Sequence, residues 1–292
     1  VRKCFFGKDK MIEIIVNTNS KNSVKKLSEL EKIFKAEKIA YKVHRTSKTI
    51  TAKELMDEIS SEELIVIGGD GTINEVINNY HDEKIIYLAK GSGNDLARSL
   101  ALKSENIMDL IKSNKVSIYD VAGVNGEKFC SGLDIGFNAD IIKREKQTKL
   151  KKYLKKYIYI YCGILSLLSL KKYYVKAEYD EGKIESSNIY LFNIMIQPYE
   201  GGGIKFSDTA NGQNGFLHVM VMNDMNFRTF VYNYICLLLK QHQKMRGVKY
   251  IKTKKIKIET DQKHYQIDGE LKKAKGILDI KCIEKFYKIK RK

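Results

Sequence analysis

The stretch Gly68-Gly69-Asp70-Gly71-Thr72-Ile73-Asn74-Glu75-Val76 constrains this chain more than any other. It follows Leu64-Ile65-Val66-Ile67, a short apolar and β-branched run that reads as a buried parallel strand. It leads into Asn74-Glu75-Val76-Ile77-Asn78-Asn79, which reads as the start of a helix. A strand, a glycine turn and a helix N-terminus form a natural phosphate site. Glycine lets the backbone come close, and the unpaired N–H groups and helix dipole favour an anion. Asp70 places a carboxylate in the same loop, which repels a bare phosphate unless a cation lies between them. The loop therefore points to a metal–nucleotide complex. The plainer alternative is an ordinary strand-to-helix turn in which glycine only relieves crowding.

The remaining chain divides by pattern. Ile12–Val16, Tyr41–His44, Leu64–Ile67 and Ile85–Leu88 read as strands. Helical segments fall at Val24 to Ile39, with Leu27, Leu30, Ile33 and Phe34 on one face, and at Ala52 to Ile59. A second glycine loop, Gly91-Ser92-Gly93-Asn94-Asp95-Leu96-Ala97-Arg98, follows the fourth strand. This alternation predicts a doubly wound parallel sheet, with ligands at the carboxyl ends of its strands. The pattern changes near Lys115. Short strands then dominate, at Ser117–Val121, Glu127–Gly132, Tyr174–Tyr179, Ser187–Gln197, Gly215–Met222, Ile256–Glu259, His264–Gln266 and Gly276–Lys281. That section predicts a β-sandwich with helical insertions near 140–170 and 227–245. The fold class expected is α/β: an N-terminal doubly wound parallel sheet plus a C-terminal β-sandwich domain.

Charge and cysteine usage narrow the partners. The chain of 292 residues carries a formal charge of +18, which suits nucleotide phosphates, an anionic membrane or nucleic acid. Scattered lysines in a Lys-, Ile- and Asn-rich composition account for part of it. No nucleic-acid recognition motif accompanies the charge, so nucleic acid is not expected. Cys4, Cys130, Cys162, Cys236 and Cys282 lie far apart with no C-x-x-C pair, as in a cytoplasmic protein with reduced thiols. No leader pattern is visible, and Val1–Lys10 reads as an extension ahead of the fold.

Tyr157 to Leu170 is an apolar run of 14 residues, short of the about 20 that span a bilayer. Lys143, Arg144, Lys146, Lys149, Lys151, Lys152, Lys155 and Lys156 precede it. A basic segment leading into an apolar helix suits peripheral binding to anionic lipid. A solvated basic helix followed by a core helix is the plainer alternative.

The two glycine loops, in this order, resemble the diacylglycerol kinase catalytic-domain family, which includes bacterial lipid kinases and sphingosine kinases. Ser131-Gly132-Leu133-Asp134-Ile135-Gly136-Phe137-Asn138-Ala139, Gly201-Gly202-Gly203, Ala210 to Val219 and Asp268-Gly269-Glu270 also match its pattern, in sequence order over nearly the whole chain. Gly-Gly-Asp-Gly-Thr alone is shared with NAD kinases and some phosphofructokinases. The second loop and the late Asp-Gly-Glu are more specific.

The resemblance implies a nucleotide-binding domain over 1–118, with 283–292 returning to it, and a lipid-substrate domain over 119–282, with ATP bound between them. It implies that Gly68, Gly69, Asp70, Gly71, Thr72, Ile73 and Asn74 wrap the ATP phosphates, with Asp70 helping to hold Mg²⁺. Asn17, Thr46 and Ser92 would line the nucleotide pocket, and Glu270 would be the general base. A structural Mg²⁺ would fall to Asn211, Asn214 and Phe216, the first and last through their backbone carbonyls. Three departures stand out: Asn17-Thr18-Asn19-Ser20-Lys21 replaces an Asn-Pro turn with glycine, Ala89 replaces a proline, and Asn214 replaces an aspartate. The last predicts a weak or absent structural ion, because Mg²⁺ prefers a charged oxygen ligand.

The function expected is an ATP-dependent lipid kinase, cytoplasmic and peripheral to the membrane, acting on diacylglycerol or a related lipid alcohol. The alternatives are a soluble NAD-kinase-like small-molecule kinase and a non-catalytic nucleotide- and membrane-binding sensor. The oligomeric state, including a homodimer, stays open.

Overall fold

The structure is a computed structural model and describes residues 11–102, 106–154 and 157–292. The expected N-terminal extension over 1–10, Cys4 and the lysines at 155 and 156 lie outside the described residues. The chain forms two compact units, residues 1–119 with 285–292, and residues 120–284.

The first unit runs β1 (Ile12–Val16), α1 (Lys21–Ala36), β2 (Tyr41–Arg45), α2 (Ala52–Met56), β3 (Glu63–Gly68), α3 (Asp70–Asn78), β4 (Lys84–Ala89), α4 (Asp95–Ser99), α5 (Ile107–Lys112) and the start of β5 (Val116–Val124). β2, β1, β3 and β4 lie side by side, all parallel. The chain's last strand joins this sheet in parallel, with Lys288 opposite Lys84 and Ile289 opposite Ile85.

Because side chains alternate across a strand, each strand feeds both faces. Ile14, Ile65 and Ile86 pack with Leu27, Leu30 and Phe34 of α1 and with Ile107, Leu110 and Ile111 of α5. α2 and α3 pack on β1 and β3, and their Leu55, Met56, Ile73, Val76 and Ile77 are buried. Helix starts follow local chemistry. Ser20 accepts the Ser23 N–H, and Thr51 and Glu54 form a capping box. α2 stops at Met56 rather than reaching Ile59. α5 is an element the apolar spacing did not announce.

The second unit continues with β6 (Glu127–Phe129), β7 (Gly132–Gly136), α6 (Phe137–Gln147), α7 (Lys151–Leu154), α8 (Ile158–Leu168), β8 (Tyr173–Tyr179), β9 (Gly182–Met195), β10 (Tyr199–Glu200), β11 (Ile204–Lys205), β12 (Leu217–Asn223), α9 (Phe227–Leu238), β13 (Val248–Thr253), β14 (Lys255–Thr260), β15 (His264–Ile267), β16 (Glu270–Lys273) and β17 (Leu278–Lys290). The 14-residue β9 serves two layers. Its first half pairs with β8, which pairs with β14 and then the start of β17. Its second half pairs with β7 and β12, which continue to β15, β16 and β13. Phe192, Ile194, Leu133, Val175, Ile256 and Leu278 share the core of this sandwich. A second cluster, including Tyr190, Met220 and Met222, lies under α6, α8 and α9 through Phe137, Ile158, Cys162, Phe230 and Leu237. The doubly wound sheet and the sandwich are the fold class expected from sequence. Cys130, Cys162, Cys236 and Cys282 are free thiols, the first three buried.

Candidate active site

At the end of β3 the chain turns through Gly69 into α3, a helix with no side-chain cap. The first backbone N–H groups of such a helix lack intrahelical partners, and the dipole adds positive potential there. The glycines are required by close approach. A Cβ built on Gly69 would lie 2.9 Å from the Gly91 Cα, and one built on Gly91 would lie 2.6 Å from the Gly69 Cα. The two loops therefore touch backbone to backbone.

Asp70 fastens them. Its Oδ2 accepts the Asp95 N–H at 3.1 Å and its Oδ1 accepts the Leu96 N–H at 3.1 Å. The first residue of α3 thus caps α4. The second loop is closed on itself by Asn94, whose Oδ1 accepts the Gly91 N–H and whose Nδ2 donates to the Gly91 carbonyl. Asp95 is ion-paired with Arg98. Burial raises the Tyr87 hydroxyl far above its usual range, and the negative charges of Asp70 and Asp95 raise it further.

The first loop after β1 joins the same end of the sheet. Asn17 Nδ2 donates to Thr72 Oγ1 at 3.1 Å, and Asn17 Oδ1 accepts the Asn19 N–H. Thr18 bonds Thr46 twice, through its N–H to Thr46 Oγ1 and through its hydroxyl to the Thr46 carbonyl. Asn17, Thr46, Gly69 and Ser92 in loops, with Asp70 and Thr72 in the first turn of α3, therefore stand at one end of this sheet. Ser92 is exposed. Ile73 stands apart: its side chain is fully buried and its N–H donates to Gly69 O, so it offers a ligand nothing. Glu75 is a cap, accepting the Ala52 N–H at 2.8 Å.

The donor chemistry of this end fits Mg²⁺, which takes hard oxygens. Asp70 offers a carboxylate whose oxygens retain lone pairs after accepting one N–H each. Asn74 Oδ1 is a buried oxygen with no hydrogen-bond partner among the described residues.

In the second unit, Asp268 and Gly269 form the turn between β15 and β16, and Glu270 is the first residue of β16. Asp268 adopts a left-handed backbone, φ 47°. Its carboxylate gathers the N–H groups of Cys130 (2.7 Å), Ser131 (2.8 Å) and Gly132 (3.1 Å). Glu270 is exposed and paired with Lys272 at 3.3 Å. Burial pulls Lys272 down, but Glu127 and Glu270 together hold its ammonium above the usual value.

Asn211, Asn214 and Phe216 belong to one turn held by its own hydrogen bonds. Asn211 Oδ1 accepts the Gln213 N–H and Asn214 Oδ1 accepts the Phe216 N–H. Asp120 accepts the Gly215 N–H. Asn214 Nδ2 donates to the Thr209 carbonyl and points at His218 Nε2, 3.0 Å away. Asn211, Asn214 and Phe216 supply no carboxylate, the charged oxygen that Mg²⁺ prefers, and the Lys252 ammonium lies over the Phe216 ring at 4.0 Å. These residues do not fit a divalent cation.

Residues 11–124 match the diacylglycerol kinase catalytic domain, and residues 131–286 match the YegS C-terminal NAD kinase beta sandwich-like domain. The chain is 27% identical over 274 residues to a diacylglycerol kinase of Bacillus subtilis (strain 168), covering 89% of this chain and 90% of the relative. It is also 27% identical over 274 residues to one of Staphylococcus carnosus (strain TM300), covering 89% of each. A crystal structure of a diacylglycerol kinase from Bacillus anthracis str. Sterne shares the fold, with a TM-score of 0.72 and 23% identity over 97% of both chains. The chain belongs to the diacylglycerol kinase catalytic-domain family and is a kinase.

Proposed function

We propose that the protein is an ATP-dependent lipid kinase, transferring the γ-phosphoryl group of ATP to the hydroxyl of diacylglycerol or a related lipid alcohol at a membrane surface. The observation that carries this reading is the uncapped start of α3 beside a carboxylate that is itself fixed by two N–H groups. The free N–H groups of the turn suit phosphate oxygens, and Asp70 and Asn74 suit the ion that accompanies them. When bound, Mg²⁺–ATP supplies a transferable phosphoryl group with its charge partly neutralised.

The chain's own residues do the rest. Gly69 and Gly91 let the two loops meet backbone to backbone. Asn17 orients Thr72 through their hydrogen bond. Glu270, exposed at the end of its turn, accepts the proton of the attacking lipid hydroxyl. Such a base contributes about 10²–10⁴-fold.

A lipid substrate requires access to a bilayer. No described helix is long and apolar enough to cross one. α8 and the residue before it instead present an outward apolar stripe, with Tyr157, Ile160, Ile164 and Leu168 exposed by 58%, 62%, 56% and 80%. Its other side is buried through Ile158 and Cys162. Arg144, Lys149, Lys171 and Lys172 flank this stripe in sequence. An apolar stripe with basic flanks suits an anionic bilayer as its occupant.

The test is Glu270→Gln assayed with ATP and diacylglycerol in mixed micelles containing anionic lipid. The variant should bind ATP as the parent does and lose most lipid phosphorylation. Full lipid-dependent activity in the variant would refute the base assignment.

A further inference from the structure

Behind the turn that carries Glu270 lies a row of buried polar side chains. Asn193, Asp134 and Gln266 stand abreast on β9, β7 and β15 in register. Asp134 and Glu200 are 1% and 8% exposed. Asp134 Oδ1 accepts from Asn138 Nδ2 and Asn193 Nδ2, each at 2.9 Å. Its Oδ2 accepts from Gln266 Nε2, which also donates to Glu200 Oε1 at 2.8 Å. The Gln266 amide nitrogen therefore bridges the two buried carboxyl groups. A Cβ on Gly132 would sit 2.6 Å from Glu200 Oε2, so glycine is what admits this carboxyl.

Two buried carboxyl groups held on one amide nitrogen resist carrying two negative charges at once, which favours one proton shared between them. Burial raises the Asp134 carboxyl above its ordinary range, which favours that sharing. The pair also sets the direction of the Gln266 amide. Its NH₂ end serves the two acids, so its carbonyl end must face outward. There Gln266 Oε1 accepts the Gly269 N–H at 2.7 Å. Well-packed apolar residues would serve a sandwich core at least as well as an acid pair, which directs attention to the turn it supports.

We propose that Asp134, Glu200 and Gln266 form a proton-sharing positioning device that fixes the Gly269 backbone and thereby aims Glu270 at the lipid hydroxyl. This rests on the reading of Glu270 as the base. The three are positioning residues, since none is assigned a contact with substrate.

The experiment compares Gln266→Met, Glu200→Leu, Glu200→Gln and Glu270→Gln in the full chain. It measures kcat, KM for ATP, and amide hydrogen exchange across 263–274. Gln266→Met and Glu200→Leu should lower kcat by up to about 10²-fold, the cost of a small misplacement, with KM for ATP unchanged. Exchange should quicken at Gly269 and Glu270 while the rest of the second unit stays protected. Glu200→Gln should retain most of kcat, because its amide supplies the donor that the shared proton supplies. The proposal is overturned if Gln266→Met keeps full kcat, if Glu200→Gln is as impaired as Glu200→Leu, or if exchange rises evenly through the unit. Should Glu200→Leu not fold, Gln266→Met and Glu200→Gln still decide. A fully active Glu270→Gln overturns the base assignment instead, and the exchange pattern of Gln266→Met then judges the device on its own.

Discussion

Asp70 Oδ1 accepts the backbone N–H of Leu96 at 3.1 Å, so a residue at the start of one helix caps another that begins 25 residues later. The same carboxylate takes the Asp95 N–H with its other oxygen. Its first task is therefore to hold the two glycine loops in contact, and any part in metal binding is built on that.

Replacing Asp70 separates these tasks. Asp70→Ala leaves two N–H groups uncapped and should cost about 1–2 kcal/mol in urea denaturation. Asp70→Asn keeps one acceptor and should cost less, yet both variants should lose most phosphoryl transfer. An Asp70→Asn protein with parental activity would confine the residue to its capping role.

Asp268 should matter more to stability than to chemistry. It satisfies three N–H groups from one carboxylate. Asp268→Ala leaves all three unpaired and places alanine at a positive φ, so a loss of about 2–4 kcal/mol is expected. Asp268→Asn should recover part of it. Equilibrium unfolding in urea measures both.

The contrast between these acids explains what could be read in advance. The strands and both glycine loops were legible because a buried parallel sheet writes itself as continuous apolar runs broken by glycine, as at Leu64–Ile67 and Gly68–Gly71. The spacing signal missed α5, which is only six residues long. β13, Val248–Thr253, has only one buried residue, Thr253, and three lysines or tyrosines facing water, so its apolar alternation was weak. Long-range partners left no local trace. Nothing in Glu75 predicts its bond to Ala52, and nothing near Asp134 points to Glu200, which lies 66 residues downstream and is tied to it through Gln266 only once β7 and β15 are paired. Asn214 was legible as a departure from the aspartate, but its partner His218 was not.

Chelation tests the turn around Asn214. Protein free of ATP and incubated with EDTA should melt within about 1 °C of the untreated sample, because an ion that is not bound contributes no linkage energy. A drop of several degrees, reversed by Mg²⁺, would show that the turn holds an ion after all.

His218 gives the same turn a pH dependence. Burial, and then the Lys252 charge, push its imidazole from 6.5 down to about 4. Asn214 Nδ2 lies against Nε2 and Thr209 Oγ1 lies 2.8 Å from Nδ1, which suits the neutral ring protonated at Nδ1. Between about pH 4 and 6.5 the unfolded chain binds the proton and the folded chain does not. Stability from this group is therefore full above 6.5 and lost as pH falls toward 4, by roughly 3 kcal/mol at most. His218→Gln should flatten the fall in urea midpoint over that interval. An unchanged pH profile in the variant would assign the acid sensitivity elsewhere.

The most direct measurement is transfer of labelled γ-phosphate from ATP to a panel of lipids in mixed micelles, run with and without Mg²⁺ and with NAD as a soluble control. The account predicts label in diacylglycerol or a related lipid alcohol, dependent on Mg²⁺, and none in NAD. Phosphorylation of NAD without lipid, or ATP binding with no turnover on any lipid, would contradict it.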